Sequence, residues 1–152
     1  MPNSLLHWAK RAVAFAAFFS GSIATSCLIG WYLKIPALIQ VMPSFAPMQA
    51  NTAICFLLSA LALYFLRAKT TQYLTSIFST ATFALAAATI VQYLFDIDIG
   101  IDTLLREPFV ITKTSHPGRM APNTAIGFMI LSAAFLLAKT NKSLWCSYTA
   151  SI

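Results

Sequence analysis

The amino-acid sequence predicts an all-α integral membrane protein with four transmembrane helices, arranged as two parallel-repeated helical hairpins. Composition and an internal repeat lead to this fold class. Of the 152 residues, 59% are hydrophobic and only 9% are charged, and the mean hydropathy is +0.75. Soluble domains contain about 25% charged residues, so this composition is typical of a chain embedded in lipid.

The internal repeat is the motif M-x-x-N-T-A-I-x-F. It occupies Met48–Phe56 and returns, 72 residues later, at Met120–Phe128. Each copy follows a proline-containing segment and leads into an apolar run that ends near basic residues. A self-match of this kind indicates a structural unit that occurs twice. We therefore expect two similar hairpins to stand side by side.

Four stretches without charged residues predict the four spans. The first, Ala12–Leu33, has 22 residues, enough to cross a hydrocarbon layer of about 30 Å. The second helix is expected to begin near Pro47, with Ser44 as its cap, and to end at Leu66. The other two spans are expected at Thr70–Phe95 and Pro122–Ala138.

These spans divide the chain into a head, two repeats and a tail. The predicted segments are residues 1–11, 12–69, 70–140 and 141–152. Loop 96–119 contains every acidic residue, and a short surface helix is expected around Thr103–Glu107. The first span is interpreted as a retained anchor, because it is longer than a signal-peptide core and lacks an A-x-A-like site. Cleavage as a signal peptide is the less favoured alternative.

The positions of Lys and Arg predict that both termini are cytoplasmic. Basic residues without any acid occupy the head, the turn at 67–72 and the start of the tail. All four acids lie on the opposite side, and an excess of Lys and Arg marks the cytoplasmic side of a membrane protein. Trp and Tyr residues near both ends of the spans, Trp31 among them, predict an aromatic belt at each membrane surface.

The repeated N-T-A sequence has two interpretations. In the first, Asn and Thr cap the helix starts and form hydrogen bonds between helices. In the second, they line a polar ligand pocket between the hairpins at the non-cytoplasmic side, where helix N-termini and a nearby arginine favour an anionic or carbonyl-bearing ligand. The candidate ligand residues are Gln49, Asn51, Thr52, His116, Arg119, Asn123 and Thr124.

Metal and cofactor sites are less favoured. A soft metal such as Cu(I) is a weak alternative at Met48, Met120 and His116, since methionines in apolar chains usually serve packing. The three cysteines have no paired or metal-type spacing, so no disulfide framework is expected. The acidic run that begins at Asp96 matches a calcium loop poorly and is interpreted as solvated. We expect no cofactor.

The chain is not expected to be an enzyme or to bind nucleic acid. It contains no Ser–His or Cys–His pairing, phosphate loop or kinase signature. Its basic residues are scattered, whereas a nucleic-acid surface needs a clustered basic face. His7 and His116 lie on opposite sides of the predicted membrane, which excludes a bis-histidine haem. Ion-coupled transport is disfavoured because no ionisable residue lies inside a span.

Three stretches resemble the N-terminal membrane region of bacterial multidomain histidine kinases and diguanylate cyclases, which often contain PAS domains. They are A-P-M-Q-A-N-T-A at 46–53, Y-L-F-D-I-D-I-G-I-D-T-L-L at 93–105 and T-S-H-P-G-R-M-A-P-N-T-A at 114–125. The resemblance covers most of residues 35–140 and implies an input or anchoring module in the bacterial inner membrane. The sequence ends shortly after the fourth span, so any output domain is expected outside this chain.

The function expected from these observations is that of a sensory or anchoring module in a signal-transduction protein such as a two-component system. Its expected partners are the lipid bilayer and other transmembrane helices or a second copy of the chain. The alternative is a small structural subunit that packs within a larger membrane complex.

Overall fold

The computed structural model describes residues 2–42, 45–66, 71–103, 109–110 and 116–150. The regular elements in these ranges are all helices, and no strand occurs among them, so the all-α prediction is confirmed. In chain order the helices are α1 (Pro2–Leu33), α2 (Pro36–Ile39), α3 (Ala50–Phe65), α4 (Gln72–Phe95) and α5 (Pro122–Ala150).

Three of these helices are long and apolar enough to cross a membrane. The spans within them are Lys10–Leu33, Gln72–Phe95 and Pro122–Thr140. The remaining long helix, α3, is apolar but has only 16 residues, which correspond to about 24 Å. That length falls short of a hydrocarbon layer of about 30 Å. The chain therefore has the character of a membrane protein, with α3 as its shortest apolar helix.

The terminal helices extend beyond the predicted spans. α1 begins at Pro2, so the predicted head is helical, and α5 continues to Ala150, so most of the predicted tail is helical as well. The reason is that Lys and Arg are good helix formers. Charged residues end a membrane-spanning segment without ending the helix that contains it.

The second helix begins later than predicted. Gln49 is extended, with φ −69° and ψ 152°, so α3 starts at Ala50 instead of near Pro47. The Met48 N–H donates to the Ile39 carbonyl of α2 at 2.8 Å, which holds the segment before α3 out of the helix. The cap predicted at Ser44 lies outside the described residues. So does most of the surface helix predicted around Thr103–Glu107, while Thr103 itself lies in a turn.

The four long helices pack with α3 at the centre. α3 contacts α1, α4 and α5, and α4 packs against both α3 and α5. Among the described helices α1 contacts only α3 and the short α2. Its opposite face carries Phe15 and Phe18, which are 69% and 76% exposed. The bundle is therefore closed around α3 and α4 and open beside α1.

α1 and α4 each carry a face of small buried residues at equivalent positions of the repeat, although the two helices do not contact each other. The buried pairs, which recur at a spacing of 62 residues, are Ala17 and Ser79, Ala24 and Ala86, and Cys27 and Thr89. In each helix they are separated by three or seven residues, so they lie on one face. Small side chains on such a face let neighbouring backbones approach closely. The repeat therefore includes the first helix of each hairpin as well as the motif.

The chain reverses after α1 at a close approach to Gly30. A Cβ atom at Gly30 would lie 2.6 Å from Leu38 Cβ and 2.9 Å from Ile39 Cγ2. The Ile35 N–H also donates to the Gly30 carbonyl at 2.8 Å, and Lys34 adopts φ 56°. The tight reversal therefore depends on the missing side chain of Gly30.

We expect Gly30→Ala to destabilise the protein by about 1–3 kcal/mol, because the new methyl group overpacks this contact. The matched change Gly127→Ala lies where nothing is within 4 Å of the added Cβ. It should be neutral or stabilise by up to about 1 kcal/mol, since alanine is the better helix former. Unfolding in detergent, followed by circular dichroism, measures both. Equal effects of the two substitutions would contradict the close approach.

Candidate functional site

Buried polar groups gather at the end of the bundle where α3 and α5 begin and α4 ends. Asp102 is their centre. Its Oδ2 accepts hydrogen bonds from Arg119 Nε at 2.8 Å and Gln92 Nε2 at 3.0 Å, and its Oδ1 accepts from Asn51 Nδ2 at 3.3 Å. We call these four residues the Asp102 cluster. It connects α3, α4, the loop after α4 and the segment before α5.

Arg119 is held on several sides in this cluster. Its guanidinium also donates to the Ile97 carbonyl at 3.3 Å and lies 5.3 Å from the ring centroid of Tyr93. Tyr93 in turn meets the ring of His116 edge-on at 5.6 Å. Arginine stacked on an aromatic face and paired with a carboxylate has little freedom to move. The Arg119 side chain is therefore a fixed part of the structure.

The acidic loop is not fully solvated, contrary to the prediction. The Asp102 and Arg119 side chains are only 7% and 5% exposed. Asp98 also turns back toward α4, because its Oδ1 accepts from the Gly100 N–H at 2.8 Å and from Gln92 Nε2 at 3.4 Å. A carboxylate is buried only where an opposite charge and hydrogen bonds compensate the lost hydration. Arg119 supplies that charge to Asp102.

The asparagines of the two motif copies make the same hydrogen bond within the first turn of their helices. Asn51 and Asn123 each accept, through Oδ1, a hydrogen bond from the N–H of the following threonine at 2.9 Å. These bonds satisfy one free donor in the first turn of each helix, although the N-cap residue of α3 is Gln49, whose side chain makes no capping hydrogen bond. The next residues, Ala53 and Ala125, are fully buried. The N-T-A sequence thus combines a local cap with a packing position.

The segment before the first motif copy is held by α1. The Trp31 indole N–H donates to the Met48 carbonyl at 2.8 Å, and the Cys27 thiol approaches the same oxygen at 3.5 Å. Trp31 is only 4% exposed, so its predicted place in an aromatic belt is wrong. The reason is that its indole N–H reaches a carbonyl inside the protein, while the neighbouring Tyr32 is 74% exposed.

The two motif copies meet at their last position. Phe56 and Phe128 pack edge to face, with ring centroids 4.9 Å apart and an interplanar angle of 80°. Equivalent residues contact each other where two repeats are related by an approximate twofold axis. The starts of α3 and α5 therefore face a common space from two equivalent sides.

A cavity of about 480 Å³ occupies this space. We call it the motif cavity. Its lining includes Thr52 and Thr124, which are equivalent positions of the two motif copies. The described lining residues are Ala46, Pro47, Met48, Gln49, Thr52, Tyr93, His116, Arg119, Ala121, Pro122 and Thr124. Neither motif copy could form this cavity alone.

The structure brings five of the seven predicted ligand residues to the motif cavity. They are Gln49, Thr52, His116, Arg119 and Thr124. Asn51 is instead buried within the Asp102 cluster, and Asn123 is exposed at the start of α5. The two asparagines differ because the loop that carries Asp102 lies over the start of α3. Arg119, predicted at the rim, is buried by its pairing with Asp102.

The residues of the soft-metal alternative are divided between two places. Met48 and His116 line the motif cavity, whereas Met120 is fully buried in a core cluster with Cys55 and Phe128. Among the described residues no group of three or more His, Cys, Asp or Glu side chains could hold a metal ion. Packing therefore accounts for the position of Met120.

Sequence reasoning predicted neither the pairing of Arg119 with Asp102 nor the hydrogen bond from Gln92 to the same carboxylate. Gln92 is fully buried in the last turn of α4, beside Tyr93, and Asp102 follows in the loop. One signal was present, because a long polar side chain inside an otherwise apolar span needs a partner. The identity of that partner depends on how the loop folds back, which local sequence does not specify.

Comparison of the chain with protein-family models, curated proteins and solved structures finds no match. What the site can do follows from its own geometry. Hydrogen-bonding side chains form one part of the motif cavity, and prolines, alanines and a methionine form the rest. A mostly apolar cavity with a few placed polar groups is suited to binding a small molecule.

We expect Arg119→Met to destabilise the protein by about 3–5 kcal/mol, because Asp102 would keep a buried charge without its partner. The exposed Lys10→Met should change stability by less than about 0.5 kcal/mol. The single variant Asp102→Asn and the double variant Arg119→Met with Asp102→Asn complete the set. The double variant should lose less stability than the sum of the losses of its two single variants. Thermal unfolding in detergent measures all four variants, and strictly additive losses would be evidence against the ion pair.

We expect Asn51→Leu to destabilise more than Asn123→Leu, although the two residues are equivalent in sequence. Asn51→Leu removes a first-turn hydrogen bond and a donor to buried Asp102, which together are worth about 1–3 kcal/mol. Asn123→Leu removes only the exposed first-turn bond, worth about 1 kcal/mol or less. The same unfolding measurement compares them. Equal losses would mean that capping alone explains both residues.

Proposed function

We propose that this chain is the transmembrane sensory and anchoring module of a bacterial signal-transduction protein in the inner membrane. In this proposal α1, α3, α4 and α5 each cross the bilayer, and both termini are cytoplasmic. The observation that carries the proposal is the motif cavity, which equivalent residues of both repeats line at the predicted extracytoplasmic end. A small molecule bound there would contact α3, α5 and the segment before α5 together.

The packing of α3 supports a fourth span despite its length. α3 lies between α1, α4 and α5, so neighbouring helices cover much of its surface. A short apolar helix can cross a bilayer that is locally thinner. It can also cross where longer neighbouring helices cover its ends. At the end opposite the Asp102 cluster, the Lys139 ammonium donates to Ser76, so a basic residue lies at the end of the bundle that is proposed to be cytoplasmic.

The length of α5 supports a sensory role. Pro122 and Thr124 at its start line the motif cavity, and the helix continues without interruption to Ala150. Its 29 residues correspond to about 44 Å, which exceeds a hydrocarbon layer of about 30 Å. A rigid helix of this length would connect a ligand on one side of the membrane with an output domain on the other.

A structural subunit of a larger membrane complex is the second candidate, and the open face of α1 favours it. Phe15 and Phe18 on that face are 69% and 76% exposed and would suit lipid or a partner helix. The DNA downstream of the coding sequence separates the candidates. A reading frame for PAS, kinase or cyclase domains favours the sensory module, and an operon of respiratory or transport subunits favours the structural one. A homodimer partner stays a prediction.

Labelling of single cysteines tests the orientation and the opening of the cavity. In a Cys146→Ser background, intact cells are treated with a thiol reagent that does not cross the membrane. Val41→Cys, at a position that is 92% exposed, and Thr124→Cys in the motif cavity should react. Thr140→Cys should react only after permeabilisation, and Thr89→Cys, which is fully buried in α4, should not react.

The proposal has two separate points of failure in this experiment. Reaction of Thr140→Cys in intact cells, with protection of Val41→Cys, would reverse the orientation. Reaction of Val41→Cys without reaction of Thr124→Cys would keep the orientation but contradict a cavity that opens to the outside.

A further inference from the structure

The charge of Arg119 is already compensated where it lines the motif cavity. Arg119 Nε lies 2.8 Å from Asp102 Oδ2, and both side chains are more than nine-tenths buried. An anionic ligand would have to separate this pair or bring a second negative charge beside Asp102. Both are unfavourable because the two side chains of the pair are almost entirely withdrawn from water. The geometry therefore disfavours the anionic ligand that the helix starts and Arg119 suggested at the level of sequence.

A cationic ligand is disfavoured by the same cavity. None of its described lining residues is acidic, so a cation would find no opposite charge there. His116 packs edge-on against the Tyr93 ring and is not an anionic side chain. The described lining thus has no free charge of either sign to offer, which fits a neutral molecule.

The cavity also has an acceptor that lacks a donor. Gln49 lines it and is 9% exposed, and its Oε1 has no hydrogen-bond partner among the described residues. A buried amide oxygen without a partner is uncommon and unfavourable. The equivalent position in the second motif copy is Ala121, which lines the same cavity. The acceptor therefore belongs to the first repeat alone and gives the cavity a polar side.

The wall around this acceptor is apolar and partly rigid. Pro47 and Pro122 lie in the lining with Met48 and Ala121. Proline rings have fixed backbone geometry and present flat apolar surfaces. A flat ring packed against them would exclude water. Rotation of the Gln49 amide would bring its buried Oε1 to a hydroxyl on that ring. A volume of about 480 Å³ is within the range of small-molecule sites.

We propose that the motif cavity binds a neutral ring compound whose hydroxyl group donates a hydrogen bond to Gln49 Oε1. This inference rests on the ligand site of the proposed function and names its ligand class. Phenols dissolved in the surrounding water and quinols dissolved in the bilayer share this chemistry.

Four probes with one ring system test the ligand class. The purified full chain in lipid nanodiscs is titrated with 2-naphthol, 2-methoxynaphthalene, 2-naphthoate and naphthylmethylammonium, and its melting temperature is followed. A ligand that binds only the folded state raises the melting temperature with concentration. The neutral 2-naphthol should stabilise. Its methyl ether should bind about three- to tenfold more weakly, because it lacks the one donor. The two charged probes should not stabilise.

Three variants separate the motif cavity from general partition into lipid. Gln49→Met is close in shape to the original and should remove the preference for naphthol over its ether. Gln72→Met makes the same exchange at the far end of α4 and should retain the preference. Ala121→Leu adds volume at the cavity wall and should weaken both neutral probes. The melting temperature of each variant without ligand shows that it is folded.

The failures of this inference and of the proposed function are distinguishable. Stabilisation by naphthoate that Ala121→Leu abolishes would overturn the neutral class but keep the ligand site. A naphthol preference that survives Gln49→Met would overturn the role of Gln49. No stabilisation by any probe would contradict both the inference and the ligand site. Stabilisation by a tailed quinol placed in the nanodisc lipid, or by a tail-free quinol in the buffer, supports the inference and identifies the source.

Discussion

The ion pair between Arg119 and Asp102 is the interaction on which the arrangement of the motif end depends. Asp102 gathers hydrogen bonds from α3, α4 and the segment before α5, and Arg119 compensates its charge. Without this pair the loop after α4 would have no reason to lie over the start of α3, because a carboxylate prefers water. The same pair determines the character of the neighbouring cavity, since it withdraws the arginine charge from any ligand.

The repeat builds a site that neither half contains. Phe56 contacts Phe128, and Thr52 and Thr124 line one cavity, so the two motif copies face each other across an approximate twofold axis. The symmetry is incomplete in two ways. α4 packs against α3, whereas the equivalent α1 makes no described contact with α5, and Gln49 is matched by an alanine. These differences give the cavity a polar side and leave one flank of the bundle open.

The motif cavity is linked to the long helix α5, because the first turn of α5 lines the cavity. α5 begins at the cavity wall, packs along α4 and extends about 44 Å as one element. A displacement of the first turn of α5 would therefore move the whole helix as a rigid body, because no flexible segment interrupts it. The proposed sensory role depends on this continuity as much as on the cavity.

The sequence by itself determined the helical membrane character, the pairing of two repeats and five of the seven candidate residues at the cavity. These follow from local properties: apolar composition, and a motif that places Gln49, Thr52 and Thr124 at helix starts. Only the tertiary structure decided which asparagine is buried, because the same residues, Thr-Ala-Ile, follow Asn51 and Asn123 and only Asn51 has Asp102 opposite it. The burial of Trp31 and Arg119 was decided in the same way, since a long-range partner satisfied each polar group.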